Sequence, residues 1–597
     1  MPEETTSRGA LSTSDEDLLA EARERARRAM DAESAWRERA RKDLKFLHGE
    51  QWEQGDIDAR ALKGLPSLVV NRVLQYVLLI TNEVRQNRPA LLVSPVDSGA
   101  DIRTAEVVQG LIRHIEYASN ASTAYDAAVW SATACGKGYF RVYADYEAPD
   151  SFAQVLQIGQ IRSPFAVYMD PGVRQPDGSD AEWVFITEDL SKEAFLSAWP
   201  KSRTAKDFRA GADWLTLAKQ IPDWVTRDGI RVADYYYRAW QDATLYRVSK
   251  AMPDGDPLRV QMLDAALGDW VRTAHGMEPG ADGSYVDVVA GTPPPDGTPV
   301  LDQRRTRVPT VWHCQMTAGE VLRRTIWTAG PKIRGFLPVI RVLGLEMETE
   351  NGVDYLGVTR FLRDPAQMKN FWLSTATAVI GTMPKAPWIG YAGQFTDPKW
   401  ETANTERHAA LEVQPFPANW PRDAGPAPLP QRTFGEPPVQ AILQCMQFSE
   451  TDLDRTSGVN EARQGVRGNE TSGVAIQRRQ AQSQTATYHF GDNLVRAQKY
   501  EGMVLLEAIP TRYDTARTLR IIGEDETPST VRVNERTKKD GQPVLFDLTT
   551  GRYDVVVSSG PTYATKRQEG AATLMDLTTK LPLIGQNPVA TAKVVRA

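Results

Sequence analysis

Nine prolines fall between residues 384 and 430, at 384, 387, 398, 415, 417, 421, 426, 428 and 430. Proline has no amide hydrogen and clashes with the preceding helical turn, so no long helix can run through this stretch. Turns and edge strands remain. On both sides the texture changes to helical spacing. Upstream, Asp364-Pro365 reads as an N-cap followed by proline at the first helical position. Met368, Phe371, Trp372, Thr375, Ala378 and Val379 then recur at helical spacing up to Ile380, and Gly381 ends the run. Downstream, a helix is predicted over about 438–455, with Ile442, Cys445, Met446 and Leu453 on one side. A polar loop follows at 458–473, with glycines at 458, 465, 468 and 473 and arginines at 463 and 467. A longer helix, rich in Gln and Arg, is predicted from about 474 to 508.

The residues before this plan read as one α+β body over roughly 14–350. Residues 1–13 carry the signature of disorder. Ser14 then offers a helix cap, with Asp15, Glu16 and Asp17 in the first turn, where the helix dipole favours negative charge. The following run alternates Glu and Arg to about Leu47 and reads as a solvated helix face with i,i+4 pairing. Further helices are predicted over 71–87, 101–119 and 123–135, the last broken by Gly136 and Gly138. Aromatic and β-branched runs at 139–143, 165–168, 183–187, 232–238, 306–316 and 338–342 read as strands. The Gly-, Pro- and Asp-rich stretch 276–297 reads as a surface excursion. Near the carboxyl end, strands are expected at 517–522, 530–534 and 553–558, then a helix from about Thr565.

Motifs of known chemistry are largely missing. No Walker A loop is present, because Gly136-Lys-Gly138 lacks the earlier glycine and a following Ser or Thr, and Arg141 stands where a dinucleotide fingerprint needs its third glycine. The six histidines form no HExxH or HxxH. His313 and Cys314 are adjacent, so on a strand they point to opposite faces. No G-x-S-x-G elbow exists. The three cysteines, Cys135, Cys314 and Cys445, read as free thiols of a reducing compartment. The amino terminus has no apolar signal region, and the most apolar helix-length stretch, Val69–Ile80, is too short and too polar to span a bilayer. The expectation is a soluble, cytoplasmic, non-enzymatic protein with no metal, cofactor or membrane insertion. Acidic side chains outnumber basic ones, 76 to 70, which argues against tight binding of nucleic acid over the whole surface.

Several segments are informative in their order. They are Asp43-Leu-Lys-Phe-Leu followed by Gln51-Trp52, then Asn82-Glu-Val-Arg-Gln-Asn87, then Gly136-Lys-Gly-Tyr-Phe-Arg-Val142 with Asp145-Tyr146-Glu147. Tyr355-x-Gly357 leads into the helix at Pro365, the loop 458–473 follows, and Gly551-Arg-Tyr-Asp554 precedes Gly560-Pro561. Together they resemble the portal, or head-to-tail connector, proteins of short-tailed, P22-like bacteriophages, over nearly the whole chain.

That resemblance implies an α+β, multidomain portal fold that forms a ring of about twelve subunits at a unique capsid vertex. Double-stranded DNA is packaged through the ring by a terminase, retained and later ejected. The implied map is wing 14–350, stem helix 351–381, clip 382–436, second stem helix 437–457 and tunnel loop 458–473. A long wing or crown helix at 474–510, a β-rich wing return at 511–563 and the start of a helical crown at 564–597 complete it. Many relatives continue into a barrel helix that is absent or truncated here. Within the tunnel loop, Asn460, Arg463, Gln464, Arg467 and Asn469 are the candidate DNA contacts, with Arg478 and Arg479 secondary, next to Gln477 and Gln480. Phe371, Trp372 and Met446 are candidates for stem packing. The implied partners are other copies of the chain, DNA, the terminase large subunit, tail or adaptor proteins, and the major capsid and scaffolding proteins. The protein is expected at the virion's portal vertex after assembly in the bacterial cytoplasm. The alternatives are another ring-forming connector or baseplate protein, or a hydrolase. For a conduit the acidity changes meaning: twelve copies carry about −72, and a wall of that sign keeps a duplex mobile, with the loop arginines as local exceptions.

Overall fold

The computed structural model describes residues 14–458 and 487–558, apart from 87–88, 97–100, 210–224, 227–228, 250–263, 272–273, 275, 280–284, 331, 351, 383–387, 404–405, 407, 419, 433–438, 524–526, 535–536, 540–541, 545 and 549–550. Helix and sheet are mixed, so the fold is α+β. The chain divides into two compact units. The first gathers Met1–Lys42, Val77–Val358 and Thr487–Ala597, and the second Asp43–Tyr76 and Thr359–Ala486. The sequence alone places 43–76 inside the long first body. These residues cluster instead with residues more than 280 positions later, through the polar contacts described below.

In the first unit, helix Asp15–His48 begins as expected, with the Asp17 amide donating to Ser14 Oγ at 3.1 Å. Its charged run is not wholly solvated, however. Leu18, Ala22, Ala26 and Ala29 form a buried stripe against Tyr168, Trp183, Phe185, Tyr235, Tyr237, Cys314 and Met316 of a large antiparallel sheet. Phe185 and Tyr235 stack with ring centroids 4.2 Å apart. The Glu/Arg alternation hides this stripe because small alanines carry it. The exposed pairing is also there: Arg28 bonds Glu24 at 3.2 Å and Lys42 bonds Glu38 at 2.8 Å.

That sheet is built on one long hairpin-like pairing. Strand Gly229–Ser249 lies against Val300–Met316 from Ala233↔Met316 to Val248↔Val300. Val321–Ala329 continues the sheet on one side, and Trp183–Ser191 and Val167–Met169 on the other. The distal half of Gly229–Ser249 pairs with Tyr285–Ala290, which also pairs with Gly276–Pro279. The stretch 276–297 is therefore not simply an excursion. The alternating Tyr285-Val-Asp-Val-Val-Ala290 is obscured by the glycines and prolines around it, and its Val288 and Ala290 pack with Tyr246, Val248 and Trp270. His313 and Cys314 do face opposite ways: the His313 ring stacks on Tyr236 at 4.4 Å, while Cys314 joins the core beneath the amino-terminal helix.

A second core lies around helices Ile102–Ala118, Ala121–Cys135 and Tyr488–Arg512. They pack on a three-stranded antiparallel sheet ordered Val339–Leu343, Lys137–Tyr146, Gln154–Gln160. Strand Ala90–Pro95 pairs with Tyr553–Ser558, and Arg517–Ile522 with Pro528–Val533.

In the second unit, two helices flank the proline-rich segment, Val358–Thr382 and Val439–Ser457. The first does not open at Asp364-Pro365. It starts at Val358, directly after strand Gly352–Leu356 and Gly357, and Pro365 lies inside it. An interior proline costs about 3 kcal/mol, here through a bond the Phe361 carbonyl cannot receive. Burial of Leu362 and Ala366 on either side offsets that loss. The proline-rich segment itself has one two-residue ladder among its described residues, Trp388–Ile389 with Gln431–Arg432. Side chains replace regular structure there. Buried Gln394 accepts from the Tyr391 amide at 3.0 Å and donates to the Pro428 carbonyl at 2.7 Å. The indole nitrogens of Trp400 and Trp420 donate to the carbonyls of Glu412 and Gly425 at 2.6 and 2.7 Å.

Candidate functional site

Helix Val358–Thr382 has its polarity inverted. The side chains it buries are Thr359, Leu362, Ala366, Lys369, Asn370, Ser374 and Ala376. The face it leaves open carries Phe361, Met368 and Phe371, 39%, 49% and 41% exposed, with exposed Asp364 among them; Ile380, 56% exposed, lies in the last turn on the opposite side. Its buried polar groups are occupied. Asn370 Oδ1 accepts from the Val70 amide at 3.0 Å, and its amide donates to Gln51 Oε1 at 2.6 Å. Ser374 Oγ accepts from the Leu68 amide at 2.9 Å, and Lys369 Nζ meets Glu450 at 2.5 Å. These bonds pin the extended segment 68–71 along the helix, and they explain why a polar face can be buried without loss. Gln51 completes the network by donating to Asn71 Oδ1 at 3.0 Å.

The second helix is simpler. Ile442, Ser449, Leu453 and Ser457 form its buried stripe, while Leu443 and Phe448 are exposed, Phe448 by 69%. Met446 and Trp372 are half-buried, and Phe371 meets Trp372 edge-on at 5.3 Å. Of the three packing candidates, therefore, Phe371 points outward and the other two lie at the margin. Arg60 stands 5.0 Å over the Trp52 ring and 5.8 Å over Phe371. Near the end of this helix the Tyr76 hydroxyl donates to Asp454 at 2.6 Å; burial and that carboxylate hold the phenol well above its usual range. Burial raises the Asp43 carboxyl, opposed by Arg360 and Arg363 at 3.2 and 3.4 Å.

The helix ends at Ser457, whose hydroxyl donates to the Asp454 carbonyl at 2.8 Å, and Gly458 follows with φ +67°. The loop candidates Asn460, Arg463, Gln464, Arg467 and Asn469, and the secondary Arg478 and Arg479, lie outside the described residues. So does the helix expected from Thr565.

In the first unit, motifs that stand far apart in the sequence come together. Gly136 caps helix Ala121–Cys135 with φ +96°, a conformation that favours glycine. A Cβ on Gly138 would fall 1.9 Å from the Ala128 carbonyl oxygen, and one on Gly357 2.5 Å from Ala134. Gly344 closes the node, its amide donating to the Gly136 carbonyl at 2.9 Å. Between the glycines, buried Lys137 meets Glu33 at 2.9 Å, with the Trp36 and Tyr355 rings 4.4 and 4.7 Å from its ammonium. Desolvation lowers the Lys137 pKa, opposed by Glu33. The Gly136-Lys-Gly138 and Tyr355-x-Gly357 motifs are thus two sides of one backbone crossing rather than a phosphate loop.

Among the described residues no group of three or more His, Cys, Asp or Glu side chains could hold a metal. Cys135 and Cys314 are buried and Cys445 is half-buried; burial pushes the Cys314 thiol up to about 12. No helix among the described residues is long and apolar enough to cross a membrane.

The family model described as phage P22-like portal protein matches residues 23–597. The chain belongs to the P22-like phage portal family. A portal protein of Acyrthosiphon pisum secondary endosymbiont phage 1 is 24% identical over 580 residues, covering 92% of this chain and 74% of the relative. As a portal protein, the chain is a head–tail connector component of the phage virion and serves genome packaging. The portal family is structural rather than enzymatic. For a portal protein, the residues that sequence reasoning missed are Gln51, Lys369, Asn370 and Ser374. Their signal is a polar set at 369, 370 and 374 on the side of the helix opposite Met368 and Phe371, which the more conspicuous apolar spacing conceals.

Proposed function

We propose that this portal protein assembles into a ring of about twelve subunits at a unique capsid vertex, with double-stranded DNA passing through its axial channel. In this reading the first unit supplies most of the wing, helices Val358–Thr382 and Val439–Ser457 the stem, and the proline-rich segment between them the clip. The channel serves packaging by a terminase, retention and ejection, and the ring is the platform on which terminase and tail adaptor proteins dock. The observation that carries it is the inverted helix. Phe361, Met368 and Phe371 face outward while polar side chains are buried, as suits a helix whose second apolar partner is another subunit. Ring contacts of this kind are heterologous, with one face complementing a different one. Electron microscopy of the purified protein tests the reading: rings with an axial hole support it, and compact monomers at micromolar concentration count against it.

Two further results are expected. Replacing Arg463 and Arg467 with alanine leaves ring assembly intact but lowers DNA packaging or retention, because two phosphate-seeking charges per subunit are lost. Unchanged packaging and retention would remove the loop from the channel reading. Deleting 384–434 abolishes ring assembly or terminase docking, since the Gln394- and Trp400-centred network goes with it. Normal rings that package normally would show the segment to be dispensable.

A further inference from the structure

Helices Ile102–Ala118, Ala121–Cys135 and Tyr488–Arg512 meet at an acidic cluster that the portal reading leaves unused. The Tyr125 hydroxyl stands 2.7 Å from Glu501 Oε1 and 3.2 Å from Glu116 Oε1. Tyr125 and Glu501 are buried, and Glu501 Oε2 has no hydrogen-bond partner among the described residues. A phenol has one proton and can donate to one carboxylate at a time. If both glutamates were ionised, one would face the lone pairs of the same oxygen, and two like charges would lie close together, Glu501 buried and Glu116 half-buried. A single proton on either carboxyl removes both problems.

The surrounding groups supply little compensation. Arg113, on the helix of Glu116, is the cation that opposes its burial; His114 is adjacent, and Arg520 of strand Arg517–Ile522 acts on that imidazole. From the helix of Glu501, the Oε1 of buried Gln498 has no hydrogen-bond partner among the described residues. From the sheet, the Phe140 ring meets Tyr125 edge-on at 5.2 Å. Desolvation pushes the Glu116 carboxyl up to about 7 and raises Glu501 well above the ordinary carboxylate range.

We propose that Glu116, Tyr125 and Glu501 form a proton-holding lock, in which one proton retained by the carboxyl pair fastens helix Tyr488–Arg512 to its two neighbours and its loss in alkaline solution loosens them. The sign follows from linkage. The folded pair keeps a proton that the unfolded chain, with ordinary carboxyls near 4.5, has released, so the contribution is full below about 4.5, falls as pH rises from there to the pair's own raised pKa, and is gone beyond it.

The test uses the purified full-length protein and its Glu501→Gln variant, whose amide stands in for the protonated acid. Hydrogen exchange in peptides from 488–512 and 102–118 is compared between the two at each pH from 6 to 9, which cancels the intrinsic pH dependence. The wild-type to variant ratio of opening is expected to rise by up to about tenfold per pH unit, the signature of one proton released on opening. An infrared band of a protonated carboxyl is expected in the wild type at pH 8 and not in the variant. A ratio independent of pH, or a wild type without that band, overturns the proposal. If Glu501→Gln does not fold, Glu116→Gln provides the same comparison, and the wild-type band decides by itself.

Discussion

If the proposed ring forms through this helix, a variant carrying Met368→Asp and Phe371→Asp is expected to remain a monomer at concentrations where the wild type is expected to sediment as rings. Both side chains are about half exposed in the single chain. Burying each against a neighbour would contribute about 2 kcal/mol, and placing carboxylates there adds a desolvation cost. Losing about 4 kcal/mol per interface corresponds to a roughly thousandfold weaker subunit contact, and every subunit of a ring makes two such contacts. The fold of the monomer should hardly respond, since neither side chain belongs to its core; its thermal midpoint should move by about a degree or less. Analytical ultracentrifugation with a parallel melting curve separates the two effects. Rings of wild-type stability in the double variant would place the subunit contact elsewhere and leave the inverted helix without its proposed partner.

Gly138→Ala is expected to be the most damaging one-carbon change in the first unit. The new methyl carbon would sit 1.9 Å from the Ala128 carbonyl oxygen and 2.6 Å from its carbon. Both obstacles are backbone, so no rotamer change relieves them. Strand Lys137–Tyr146 would have to back away from helix Ala121–Cys135, opening space beside buried Tyr139, Phe140 and Val142. Overpacking usually costs about 1–3 kcal/mol, and a backbone clash of this depth should exceed that range, at on the order of 4 kcal/mol. Gly491→Ala is the matched control. It lies in helix Tyr488–Arg512, where an added Cβ would meet nothing within 4 Å, and should be neutral or slightly stabilising. Equal soluble yield and equal melting for the two variants would mean that the crossing yields more readily than its geometry allows.

Sequence reading succeeds where the signal is local. The Ser14 cap, the stop at Gly136 and strands such as Trp183–Ser191 rest on neighbours a few residues apart. It fails where a residue's role is set by a distant partner. In the sequence Glu33 belongs to a charged run read as a solvated helix face and Lys137 to a glycine-flanked break after a helix, and only the fold brings them together in the interior. Pro365 matches the pattern of a helix start, but Leu362 and Thr359 are buried on the preceding turn, and that packing decides where the helix begins. The apolar spacing of Met368 and Phe371 does mark one face. Nothing in the spacing could say that the opposite, polar face would be the one satisfied within the chain, because its partners, Gln51, Leu68 and Val70, lie some 300 residues earlier.

The pairing of Ala90–Pro95 with Tyr553–Ser558 also sets a schedule for the ribosome. The first strand emerges roughly 460 residues before its partner, which at about 5–20 residues per second is a wait of roughly 25 to 90 seconds. Helix Tyr488–Arg512, whose Tyr500 and Leu505 complete the core beneath it, arrives only shortly before. During that interval the nascent chain carries an open strand edge and an unfinished core, the conditions under which chains stick to one another. Subunits can therefore associate with one another only after translation has nearly finished. A premature stop before residue 553 should yield aggregates rather than a smaller portal.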